Sequence, residues 1–175
     1  MSDLYEQVSQ ERGKLESLLG QIPGYRGYKE KEMRREADKL LRDTIARRLE
    51  EQRRRLPDLQ KRLLSGGGIT WLDDVESAQM KLQTFIDRVK TATYGYAGFF
   101  DAVRVKEDAL DELYTFDEAL LATVDEIRAA IDGLEAAIGT PDKLGEAIAA
   151  LNRAAAKANE TFERRADVIT GTTEL

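Results

Sequence analysis

Apolar residues recur along most of this chain at steps of three and four, with polar residues filling the positions between them. That spacing gathers an apolar stripe on one side of a helix, whereas a strand would need alternation at every second position. Leu4, Val8, Leu15, Leu18 and Ile22 share one face of a first helix. It starts at Ser2 or Asp3, where Asp3 and Glu6 have the spacing of a capping box, and it ends at Pro23-Gly24. A second helix is predicted from about Lys29 to Leu64, carrying Met33, Ala37, Leu41, Ile45, Leu49, Leu56, Leu59 and Leu63 on its apolar side. Pro57 kinks or breaks it, because proline removes an amide donor and clashes with the preceding turn. Ser65-Gly66-Gly67-Gly68 is the clearest place for the chain to reverse.

Thr70, followed three residues later by Asp73, restarts a third helix that reaches about Thr93. Val75, Ala78, Leu82, Phe85, Val89 and Ala92 give it a heptad seam. The fourth helix begins between Asp101 and Lys106 and reaches Ile138, with Leu110, Leu113, Leu120, Val124, Ile127, Ile131, Leu134 and Ile138 in the same rhythm. Gly139 caps it, and Thr140-Pro141 opens a fifth helix whose seam is Leu144, Ile148, Leu151, Ala155, Ala158 and Phe162. Narrow stripes of this kind gain stability only by being buried against one another. The expected fold is therefore all-α, an elongated up-and-down bundle of about five helices with coiled-coil-like seams. It forms a single helical-bundle domain over residues 1–170, followed by a short flexible tail at 171–175. The second and fourth helices would each be on the order of 50 Å long.

Composition removes several classes of chemistry. The chain has 175 residues with no cysteine and no histidine, so disulfides, thiolate catalysis, Cys- or His-ligated metals and the commonest neutral-pH general base are all excluded. The Glu-x-x-His pairs of di-iron bundles cannot be built. Gly66-Gly67-Gly68 is followed by Ile69-Thr70 and lacks the Gly-Lys-Ser/Thr ending of a P-loop. No catalytic residue, metal or other cofactor is expected. The N-terminal residues lack the pattern of a secretory signal and no apolar run approaches about 20 residues, so a cytoplasmic location is expected.

Three features remain as candidates for function. Gly24-Tyr25-Arg26-Gly27-Tyr28 is echoed 71 positions later by Gly95-Tyr96-Ala97-Gly98-Phe99, and an up-and-down bundle brings these two turns to one end. The rings either close that end or present Tyr25, Arg26, Tyr28, Tyr96, Phe99 and Phe100 to a partner. The second feature is charge segregation, with 14 Lys and Arg against 8 Asp and Glu over residues 26–64 and 8 against 17 over residues 100–175. Arg47, Arg54 and Lys61 recur every seven residues, as do Arg48, Arg55 and Arg62. This basic stripe faces either an anionic surface or the acidic fourth helix, where Glu107, Asp108, Asp111, Glu112 and Glu118 would neutralise it.

The third feature is Asp117, which occupies a seam position that should be apolar. It acts as a general acid or base, sets helix register, or turns to solvent or an arginine as the helix rotates to bring Phe116 into the core. Taken together, these residues favour a non-enzymatic interaction or assembly module that binds a protein partner, or a second copy, through the aromatic-glycine end. A peripheral protein docking its basic helix on anionic lipid is the alternative. The net charge of −6 argues against nucleic acid.

Overall fold

The computed structural model describes residues 13–27, 31–92 and 107–171; the side chains of 31–33, 107–110 and 168–171 are not among those described. The helical segments are α1 (13–21), α2 (Lys31–Arg53), α3 (Leu56–Ser65), α4 (Leu72–Thr91), α5 (Glu107–Ala137) and α6 (Pro141–Gly171). No strand occurs among the described residues. The predicted second helix is α2 and α3 together, broken where Pro57 cannot donate to the Arg53 carbonyl. Gly66, Gly67 and Gly68 reverse the chain, with the Gly68 amide donating to the Leu63 carbonyl at 2.8 Å.

The start of α4 differs from expectation. Thr70 does not cap it; a 3-10 turn, Ile69–Trp71, comes first and the helix begins at Leu72 without a side-chain cap. Asp73 and Asp74 still lie in the first turn, where the helix dipole favours negative charge. Gly139, at φ +91°, ends α5, and Pro141 opens α6 as the sequence predicts. With 31 residues each, α5 and α6 are about 46 Å long.

Two antiparallel hairpins, α2/α3 with α4 and α5 with α6, pack side by side, so the helices run α2, α4, α6, α5 around the bundle. Asp38 and Asp117 meet the same Arg165, while Arg55 meets Asp132, which makes α2/α3 and α5 parallel neighbours. Lys81 bonds to Asn152 and Arg88 to Asn159, so α4 and α6 are parallel neighbours too. Consecutive helices α4 and α5 therefore occupy opposite corners. Direction still alternates from α2/α3 through α6.

α1 departs from that alternation. Lys14 reaches Thr115 and the Gln21 carbonyl receives Arg48, so α1 runs in the same direction as α2 and α5 and lies across the seam between them. The segment 22–27 carries the chain back to the start of α2.

The core is the one predicted from the heptad rhythm. Val75, Ala78, Leu82, Phe85 and Val89 on α4, Leu113, Leu120, Val124, Ile127, Ile131 and Leu134 on α5, and Leu144, Ile148, Leu151, Ala155, Ala158 and Phe162 on α6 are all buried. Each fully buried Leu, Ile, Val or Phe stabilises the fold by roughly 1.5 to 3 kcal/mol. Phe85 and Phe162 meet edge to face at 6.1 Å, tying α4 to α6.

Candidate functional site

Asp117 does not rotate out of the seam. It is fully buried while Phe116 is only half-buried, contrary to the expectation that the ring would enter the core in its place. What holds the carboxylate inside is Arg165 of α6, itself fully buried, whose Nε donates to Asp117 Oδ1 at 2.7 Å. Arg165 Nη2 donates to Asp38 Oδ1 of α2 at 2.7 Å, and Arg42 Nε donates to Asp38 Oδ2 at 2.8 Å. Arg42 Nη1 then reaches the Val89 carbonyl on α4 at 3.2 Å. Two carboxylates and two guanidiniums thus alternate through the interior and touch all four helices of the bundle.

The alternation is what makes burial tolerable, because an unpaired charge in such a place costs several kcal/mol. Chemically the chain is closed. Its carboxylates are clamped by guanidiniums that stay protonated, and all four residues are at most 4% exposed, so no substrate reaches a carboxylate for proton transfer. The sequence reading missed Arg165, although 158, 162 and 165 continue the steps of four and three beyond Phe162 and were the signal that could have found it. Asp38 and Arg42 follow Ala37 and Leu41 directly and gave no such signal.

The aromatic-glycine residues separate. Tyr25 is 1% exposed and is a core side chain, so its ring is not offered to a partner as expected. Arg26 beside it is exposed. Tyr28, Tyr96, Phe99 and Phe100 lie outside the described residues. A groove of about 520 Å³ next to Arg26 is lined, among the described residues, by Gly24, Arg26, Glu36, Ala37 and Leu40, which set apolar Ala37 and Leu40 beside one charge of each sign.

The basic stripe divides into its two columns. Arg48, Arg55 and Arg62 are engaged by neighbouring helices, the first two half-buried and Arg62 exposed: Arg48 Nη2 donates to the Gln21 carbonyl at 2.7 Å, Arg55 Nη2 bridges Asp132 at 2.7 Å and Glu135 at 2.9 Å, and Arg62 Nη1 meets Glu135 at 2.7 Å. The predicted acidic helix does neutralise Arg55 and Arg62, but through Asp132 and Glu135 rather than Asp111, Glu112 and Glu118; the side chains of Glu107 and Asp108 lie outside those described. Because α2/α3 and α5 are parallel, arginines late in the α2/α3 arm meet acids late in α5. Arg55 and Arg62 hold Glu135 ionised below the ordinary value of 4.5. Burial acts against the charge of Arg55, yet its bonds to Asp132 and Glu135 outweigh that and raise it. The other column, Arg47, Arg54 and Lys61, is exposed, with Glu51 and Asp58 also exposed nearby. Arg47 lies 3.9 Å from Glu51.

Among the described residues no three Asp or Glu side chains are placed to hold a metal ion, and no helix is long and apolar enough to cross a membrane. No family model, curated protein or solved structure matches the chain.

Proposed function

We propose that this chain is a non-enzymatic interaction module that takes a peptide segment of a protein partner in the groove beside Arg26. The observation that carries the reading is the groove itself, formed by Gly24, Arg26, Glu36, Ala37 and Leu40. Its volume lies in the range of ligand sites, and opposite charges at its edge give a bound segment both register and direction. The buried carboxylates Asp38 and Asp117, both clamped by arginine, support binding over catalysis.

Charge reversal at exposed positions tests the proposal without touching the core. Arg26→Glu and Glu36→Arg variants should keep the wild-type circular dichroism and lose a partner that wild type retains in affinity capture. Equal retention by wild type and both variants would remove this groove from consideration.

A second reading, contact with anionic lipid, is favoured by the exposed column of Arg47, Arg54 and Lys61. Glu51 and Asp58 beside it make a mixed-charge face, which is why the groove leads. Co-sedimentation with phosphatidylserine vesicles at low salt decides it: no binding there ends the lipid reading.

A further inference from the structure

We infer that α1 is an exchangeable element, and that the seam between α2 and α5 accepts the α1 of a second copy of this chain. α1 is held by one face only. Leu18 and Ile22 are fully buried, Tyr25 is 1% exposed and Leu15 packs against the core, whereas Gly13, Glu16, Leu19, Gly20 and Gln21 face solvent. This is how an amphipathic helix occupies a groove, with anchors three and four residues apart. The groove it fills lies between two parallel helices, α2 and α5, from separate hairpins. Among the described residues its side-chain ties to α2 and α5 are Lys14 Nζ to Thr115 Oγ1 at 2.6 Å and Arg48 to the Gln21 carbonyl.

The occupant is fixed by self-complementarity. An identical α1 makes identical contacts, so the closed and exchanged forms differ only in the connection and in chain concentration. The connection depends on glycine. Gly24 and Gly27 have φ of +84° and +77°, a region costly for any residue with a Cβ. A Cβ at Gly27 would lie 2.6 Å from Leu15 Cδ1 and 2.7 Å from Tyr114 Oη. Glycine at this position therefore keeps α1 folded back on its own chain. Opened out, residues 23–27 span up to about 17 Å, enough to carry α1 away from its own bundle toward a neighbour. The exchange uses a different face from the groove beside Arg26 and does not rest on that reading.

The absence of cysteine makes the test direct. Full-length Lys14→Cys and Thr115→Cys chains are unfolded together, refolded at high concentration and treated with a short bismaleimide. An adduct at the mass of two chains, formed between the two variants and absent from either alone, shows α1 of one copy seated on α5 of another. Adding Gly27→Ala to both chains raises its yield several-fold. A chain carrying both cysteines must give the intramolecular adduct, confirming that the reagent reaches. With that control positive, absence of the mixed adduct in both the native and Gly27→Ala backgrounds overturns the inference; its presence in the native background alone is sufficient support if Gly27→Ala fails to fold.

Discussion

Arg165 holds the balance of the interior, and its removal is the most severe single change predicted. Arg165→Met removes the guanidinium that Asp38 and Asp117 share, and breaking a buried pair in this way costs about 3 to 5 kcal/mol. Adding Asp117→Leu removes one of the two carboxylates that lost this guanidinium and should recover part of the loss. Urea unfolding of both variants checks this: a double variant no more stable than the single one would show that the charges do not act as alternating pairs. At the surface, Glu135 is held ionised by Arg55 and then Arg62. A lowered carboxylate contributes fully above its ordinary 4.5 and loses its contribution as pH falls through the lowered value. A carbon-detected NMR titration should place the Glu135 midpoint below 4.5, and Arg62→Ala should move it upward. These residues show where sequence reading stops. Asp117 was visible as an anomaly in an apolar rhythm, but its partner sits 48 positions away on another helix, and only packing brings the two together.

Helices and their buried faces were largely readable, because a step of three and four specifies both at once. Pro57 broke its helix and Gly139 ended another as local chemistry requires. Trp71 was the local surprise. A Cβ on Gly145 would lie 2.9 Å from the edge of the Trp71 ring, a contact between α6 and the turn before α4 that no local signal announces. Gly145→Ala should consequently gain less than the about 1 kcal/mol that alanine ordinarily gives over glycine inside a helix. Because Trp71 is the only tryptophan in the chain, its fluorescence reports the change directly, with emission moving to longer wavelength as the ring is displaced into solvent. Unchanged emission would mean that the contact is slack.

At the scale of the whole molecule, the arrangement of hairpins was not legible. Short connections favour antiparallel neighbours, and each hairpin obeys; the pairing between hairpins is parallel, and α1 runs with α2 rather than against it. Stripes specify which side is buried and leave open which neighbour buries it. Hydrogen exchange should reflect this hierarchy: amides of α5 and α6 protected longest, those of residues 14–22 exchanging first through detachment of α1. Equal protection throughout would show that α1 is integral to one cooperative unit. The asparagines between α4 and α6 carry a final consequence. Asn152 Nδ2 donates to the Asp74 carbonyl and Asn159 Nδ2 to the Lys81 carbonyl, at 3.0 and 3.1 Å, while their Oδ1 atoms accept from Lys81 and Arg88. Both rungs repeat after seven residues, two turns on each rod. One inserted residue rotates everything beyond it by about 100° and pulls the rungs out of phase. Seven residues inserted between the rungs in both α4 and α6 would keep the rungs in phase, whereas one residue inserted in either helix alone should break the second rung.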